Sequence, residues 1–335
     1  MAMVTIDASD ARTDRPRGWG RYLLGLLEAF RAGAAPDLEI VESFGWERFP
    51  EVAWEQLGFP FGARRASVIH APNCFLPVVR PCPGVVTIHD LAFETHPDDF
   101  SGRTRRKYQW VTPVAARSAD RVICVSRFTA RDVIERYRVG EDRIRVIGEA
   151  PSLARGDASP PPGPYLLGVG DLRVKKDFIT LVAAWRRLRE RGLEHRLILA
   201  GGDGGEAERL RAAAGEEPLE LTGYVTDGEL DALMRGADLL VHPSRHEGFG
   251  LVLLEAMARG TPVLAAWASA LPETAGSAAA YFEPGAVGAL AELISDVLGD
   301  DERRLGLIAR GHQRVGVCSW RATAEATADV YRELL

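Results

Sequence analysis

The stretch Ala237–Ala265, ADLLVHPSRHEGFGLVLLEAMARGTPVLA, constrains the fold more than any other part of the chain. It opens on a short apolar run, Asp238-Leu239-Leu240-Val241, that reads as a buried parallel strand. His242-Pro243-Ser244-Arg245-His246 breaks the run, and Glu247-Gly248-Phe249-Gly250 follows. From Leu251 the residues favour helix, Gly260 is a stop signal, and Pro262-Val263-Leu264-Ala265 begins another strand. The pattern is strand, glycine-containing loop, helix, strand. Gly248 and Gly250 carry no side chain to block a ligand, and the first turn of a helix has N–H groups without intrahelical partners. Such a helix start favours an anion, most often a phosphate.

Two carboxylates frame that loop. Glu247 precedes the helix and Glu255 lies within it. At about 1.5 Å of rise per residue, Glu255 stands roughly 6–8 Å along the axis from the helix start. A nucleotide sugar has a similar spacing between its diphosphate and its ribose hydroxyls. The loop then holds phosphate, Glu255 the ribose diol, and Glu247 a group on the other side. The alternative places Glu255 on a solvated face as a cap or pair, and spacing alone leaves the two readings even.

The same residues carry a resemblance. Glu247 to Glu255 matches the E-x7-E signature of the retaining glycosyltransferases of family 4, also called group 1, which have the GT-B fold. The wider string PSRHEGFGLVLLEAMARGTPVLA is similar to that family over its whole length, with Val252 standing where many members carry Pro.

Composition sets the outer limits. A chain of 335 residues is long for one core and comfortable for two domains. The net charge of −6 gives no general attraction to nucleic acid or anionic lipid, so an anionic substrate needs a local basic cluster. Cys74, Cys82, Cys124 and Cys318 are scattered, which suggests neither a zinc site nor a disulfide framework. The N-terminus does not read as a signal segment, and no apolar run approaches the ~18 residues of a membrane span. A cytoplasmic protein, with peripheral contact at the inner membrane face as an option, fits these features best.

In chain order, Val4–Asp7 is a first strand, Arg15–Tyr22 a loop, and a helix then carries Leu23, Leu26, Leu27 and Phe30 on one face. The segment Phe44–Phe61, with Trp46, Phe49 and Trp54, has no clean period and reads first as a packed irregular loop and second as the lining of an acceptor pocket. Leu38–Val41, Ser67–Ile69 and Gly84–Ile88 read as strands, the last ending in His89-Asp90. In open α/β sheets ligands sit at the carboxyl ends of strands, so His89 is a candidate to hydrogen-bond a sugar hydroxyl or leaving phosphate. Asp90 is a candidate to orient it or to hold the acceptor. The basic run Arg103, Arg105, Arg106 and Lys107 reads first as a solvated helix face and second as a contact for anionic lipid or a lipid-diphosphate acceptor. Ser126 caps a helix through Tyr137. Pro151–Pro164, PSLARGDASPPPGP, reads as a stiff linker.

The βα alternation restarts at Tyr165–Val169. The loop after it has three cations, Arg173, Lys175 and Lys176, a cluster suited to neutralise a diphosphate and stabilise its departure, with a solvated loop as the alternative. Asp177 is placed to cap the next helix, and Thr226 with Glu229 forms a capping box. The glycines of Gly201–Gly205 lack the G-x-G-x-x-G spacing of a dinucleotide site.

The resemblance implies two Rossmann-like domains facing across a cleft: 1–155 on the acceptor side, 163–318 on the nucleotide-sugar side, and 319–335 as a helix crossing back to the first. It implies transfer of a hexose-type sugar from a nucleotide diphosphate sugar, such as GDP-mannose or a UDP-sugar, to a hydroxyl of a glycan, lipid-linked saccharide or small molecule, with retention. It also implies a functional role for His89, a donor-facing loop at Gly18 and Gly20, and a nucleobase contact at Gly223, Tyr224 and Val225. Lys176 matches the family's phosphate lysine, whereas Asp171 stands where many members have Arg. The backbone of Gly248, Phe249, Gly250 and Leu251 is implied to contact phosphate and sugar, Glu255 the ribose and Glu247 a sugar hydroxyl. No D-x-D motif is visible, so no metal and no cofactor beyond the donor substrate is expected. A sugar-nucleotide epimerase of the same fold, or a non-catalytic nucleotide-sugar binder, is the alternative.

Overall fold

The computed structural model describes residues 1–12, 18–45 and 51–335. Arg15-Pro16-Arg17, Trp46 and Phe49 lie outside the described residues. The chain divides into two compact units, Met1–Ser152 with Cys318–Leu335, and Leu153–Val317.

The first unit is built on six short apolar runs. They form β1 (Ala2–Asp7), β2 (Leu38–Ser43), β3 (Val68–Ala71), β4 (Gly84–Ile88), β5 (Arg121–Cys124) and β6 (Ile144–Val146). All pair in parallel in the order β2-β1-β3-β4-β5-β6. Successive residues feed opposite faces: Val68, Val85 and Ile123 enter one core, Ile69, Val86 and Val122 the other. A sheet covered on both faces needs continuous apolar runs, which is why these strands are readable in the sequence.

Helix α1 (Gly18–Arg31) packs Leu23, Leu26, Leu27 and Phe30 into the core with Val4 and Ile6, as its periodicity predicts. It starts earlier than expected. Gly18 and Gly20 belong to its first turn and not to a loop before Leu23. Glycine is a poor helix former, so packing makes the difference: Trp19 lies against Tyr108, and Tyr22 is fully buried. Helix α2 (Gly102–Ser118) exposes Arg103 and Arg106, while Lys107 pairs with buried Glu55 at 2.9 Å. Helix α3 (Arg127–Tyr137) is capped by Ser126, whose Oγ accepts from the Thr129 N–H at 3.0 Å.

The C-terminal helix (Trp320–Arg332) packs on α1 within this unit. A Cβ on Gly25 would lie 2.3 Å from the Trp320 ring, so only glycine allows this approach. Its last turn is tied to two strands: Arg121 Nε donates to Glu333 at 2.7 Å and Arg145 Nη2 at 2.6 Å. Hydrogen bonds from Arg145 and Arg121 hold the Glu333 carboxyl down at about 2, against an ordinary 4.5. A depressed carboxyl adds stability that is complete above its unfolded value and is lost as pH falls through the folded value. Glu333→Gln is therefore expected to lower the thermal midpoint at pH 7 and to have most of that effect gone near pH 2. Melting curves at the two pH values check this, and equal midpoints at pH 7 would show the pair to be idle.

The second unit holds β7 (Tyr165–Val169), β8 (Arg196–Ala200), β9 (Leu219–Gly223), β10 (Leu239–His242), β11 (Val263–Ala266) and β12 (Ala279–Phe282). They form a parallel sheet in the order β12-β11-β10-β7-β8-β9. Its longer helices are α4 (Phe178–Arg189), α5 (Ala207–Ala214), α6 (Asp227–Gly236), α7 (Leu251–Met257), α8 (Val287–Gly299) and α9 (Asp301–Gly316). Thr226 and Glu229 make the expected capping box on α6.

The proline-rich segment read as a linker has no helix or strand, yet it is anchored to this unit. Gly156 N–H donates to Asp231 at 3.2 Å, and Arg259 donates to the Leu153 carbonyl. Among the described residues no helix is long and apolar enough to cross a membrane.

Strand β7 lies between β8 and β10, so the chain winds outward from it in both directions. The carboxyl ends of β7 and β10 flank a topological switch point, where an open α/β sheet leaves a crevice.

Candidate active site

Both loops at the switch point bring charge to it. Beyond β7, Gly170 at φ +143° turns the chain, and its N–H donates to the Ala200 carbonyl at 2.9 Å. The Lys176 side chain then runs back past this glycine: a Cβ there would stand 3.1 Å from Lys176 Cε. Lys176 Nζ donates to Glu247 Oε1 at 2.5 Å. The two residues come from the loops after β7 and β10, 71 positions apart.

The loops are stitched together along their length. Arg245 N–H donates to the Lys175 carbonyl at 2.8 Å, and Ser244 Oγ does so at 3.2 Å. Asp177 stands at the expected N-cap position of α4 but does not cap it. Its backbone is left-handed, at φ +50°, and its carboxylate instead accepts from Arg245 Nε at 2.8 Å. The guanidinium offers the buried carboxylate a charged partner, and a charge-assisted bond is stronger than one from a neutral N–H. Lys175 is buried. Arg173 lies 3.8 Å from Asp171, so the acid at the family's Arg position faces a cation of its own loop.

Glu247 is held at every polar group but one. Its N–H donates to Ser269 Oγ at 2.9 Å and its carbonyl accepts from Ala270 N–H at 3.3 Å. Oε1 accepts from Lys176 and, at 3.0 Å, from His242 Nε2. Burial by itself raises the carboxyl pKa. The charge of Lys176, with the His242 hydrogen bond and Lys175, outweighs burial and holds the group well below the usual carboxylate range.

The glycine loop follows. Gly250 adopts φ +94°, and a Cβ on it would meet Leu271 at 2.7 Å, so both backbone and space demand glycine. The Phe249 carbonyl accepts from Thr274 Oγ1, which pins the loop to the segment after β11. Gly248 is buried and Leu251 opens α7. Glu255 is only 4% exposed, which removes the solvated-face reading of that residue. Gly223, at φ +69°, ends the edge strand β9, with Tyr224 exposed and Val225 half-buried beyond it.

In the first unit, His89 follows β4 and is buried. Its Nε2 donates to the Pro72 carbonyl at 2.9 Å, and its Nδ1 faces Glu149 Oε1 at 3.2 Å. Tyr22 packs edge-on against the ring, with centroids 4.8 Å apart. The carboxylate that orients His89 is thus Glu149 and not Asp90, whose Oδ1 accepts from the Ala92 N–H at 2.9 Å.

Comparison with known proteins matches these units one by one. Residues 153–314 match the family model "Glycosyl transferases group 1", and residues 39–150 match "Glycosyltransferase Family 4". The O-antigen chain mannosyltransferase B of Escherichia coli is 30% identical over 284 residues, covering 80% of this chain and 74% of that one. The chain belongs to the group 1 glycosyltransferases. Two solved structures show the GT-B fold of this transferase. Sucrose-phosphate synthase from Thermosynechococcus elongatus superposes with a TM-score of 0.75 at 21% identity, covering 100% of this chain and 99% of that one. HepE from Anabaena, in complex with UDP and glucose, superposes with a TM-score of 0.74 at 18% identity, covering 100% of both.

Within the transferase's second unit, Lys176 and Glu247 meet directly, and Lys175 and Arg173 share the same loop. Gly223–Val225 stand two strands away at the sheet edge. His89, Gly18 and Gly20 belong to the first unit. Sequence reasoning missed His242, Ser269 and Glu149. The signal for His242 was available: it is a histidine at the carboxyl end of a buried strand, the same argument that singled out His89.

Proposed function

We propose that this transferase moves a hexose from a nucleotide diphosphate sugar to an acceptor hydroxyl, with retention at the anomeric carbon and without a metal ion. The observation that carries the reading is the Lys176–Glu247 pair at the switch point, beside the glycine loop Gly248–Leu251. Lys176, with Lys175 and Arg173, takes the diphosphate and stabilises the charge that builds on it as the glycosidic bond breaks. Glu255 takes the ribose and Gly223–Val225 the base. Glu247 holds a hydroxyl of the transferred sugar, and His89, from the first unit, serves the reaction as a hydrogen-bonding group. Two relatives support the donor class: the Escherichia coli enzyme is named a mannosyltransferase, and the Anabaena structure holds UDP and glucose. GDP-mannose and UDP-glucose are accordingly the first donors to test, with saccharide and lipid-linked acceptors.

The test is a thermal-shift and calorimetric screen of nucleoside diphosphates, followed by transfer assays with the sugar donor of the best binder. Product with the donor's anomeric configuration is expected, and an inverted product would refute retention. Because the loop cations supply the positive charge, excess chelator is expected to cost less than about tenfold in rate, or about 1.4 kcal/mol. Loss of activity with chelator and its rescue by magnesium or manganese would overturn metal independence.

A further inference from the structure

His242 ends β10 and is completely buried. Its Nε2 lies 3.0 Å from Glu247 Oε1, and a carboxylate only accepts, so Nε2 carries the proton. The other ring nitrogen, Nδ1, is buried and has no hydrogen-bond partner among the described residues. A buried polar atom without a partner costs stability that an apolar side chain of the same shape would not. The imidazole therefore answers to something other than packing.

Among the described residues its one hydrogen bond is to Glu247. Lys176 and His242 both donate to Oε1. Oε2 receives no hydrogen bond from the described residues. Both donors meet the carboxylate at one oxygen and leave the second oxygen for a ligand. The backbone of Glu247 is fixed as well, through Ser269, which holds the left-handed φ of +51° while its Oγ accepts from the Glu247 N–H.

We propose that His242 is a positioning residue: a neutral Nε2–H imidazole that locks Glu247 with Oε2 presented to the transferred sugar. The proposal rests on the reading of Glu247 as a sugar contact. Burial pushes the ring's pKa down; Glu247 opposes this, and Lys176 and Lys175 add to it, so the ring stays neutral. A point cation such as Lys176 attracts the carboxylate without directing it, whereas the imidazole N–H is held in direction by the strand. The two donors thus divide the work, the lysine supplying charge and the histidine orientation.

His242→Phe removes the donor and keeps a ring, while His242→Gln places an amide N–H near the position of Nε2. The Phe variant is expected to lose about tenfold in kcat, the scale of a small misplacement at the reacting geometry, with nucleoside diphosphate affinity within about threefold of wild type. The Gln variant should recover most of that loss. Wild-type turnover in the Phe variant, or equal loss in both variants, would overturn the proposal. Glu247→Ala is assayed beside them. If it turns over normally, the sugar-contact reading fails; if it is impaired while His242→Phe is normal, only the present inference fails. A measurement on the unaltered protein needs no variant to fold: nitrogen-15 spectra of histidine-labelled enzyme should show one buried ring as the neutral Nε2–H tautomer from pH 6 to 8. The Nδ1–H form, or a charged ring, at His242 would overturn the proposal.

Discussion

Replacing Lys176 with Ala is expected to lower turnover by on the order of 10²-fold or more and to weaken nucleoside diphosphate binding, because one side chain serves two partners. The first, under the proposed function, is the departing diphosphate, which gains charge as the bond breaks. The second is Glu247, whose Oε1 lies 2.5 Å from the ammonium. Burial opposes the charge on Glu247, and Lys176 is the largest influence holding it ionised. Without the lysine the carboxyl pKa rises, since the cation that favoured the charged form is gone. If the ionised form acts, the acid limb of the kcat profile moves to higher pH in Lys176→Ala. Steady-state kinetics across pH and calorimetry with the nucleoside diphosphate measure both effects. A nearly normal Lys176→Ala enzyme beside an inactive Arg173→Ala enzyme would move the phosphate role to Arg173.

The two glutamates are expected to fail in different ways. Glu255 is buried in α7, behind the glycine loop. A ribose contact is the same in ground and transition states, so Glu255→Ala should mainly raise the donor KM. Glu247 sits in the loop itself, where its Oε1 accepts from Lys176 and His242. A contact to the transferred sugar governs the reacting geometry, so Glu247→Ala should mainly lower kcat, by about 10²-fold. Calorimetry with nucleoside diphosphate alone separates them: affinity falls in Glu255→Ala and survives in Glu247→Ala. Equal loss in both, or loss only in Glu247→Ala, would sink this division of roles and leave the fold untouched.

What the sequence by itself determined is local and periodic. The buried strands were legible because parallel strands covered on both faces must be apolar throughout, as in Tyr165–Val169 and Leu239–Val241. The Ser126 cap and the Thr226–Glu229 capping box were legible because their partners lie within three residues. The E-x7-E spacing placed Glu247 and Glu255 around one loop and helix for the same reason. Tertiary structure alone decided which groups meet. Asp177 looked like a cap and instead takes Arg245, 68 residues away; Asp90 looked like the partner of His89, and Glu149, 60 residues away, fills that place. Gly18 and Gly20 entered a helix because the ring of Trp19 found Tyr108 and that of Tyr22 found the core. His242 looked like the end of a strand until the fold set Glu247 3.0 Å from its ring. A hydrogen bond is fixed by distance and direction in space, and neither follows from position along a chain once the backbone between the partners leaves a regular helix or strand.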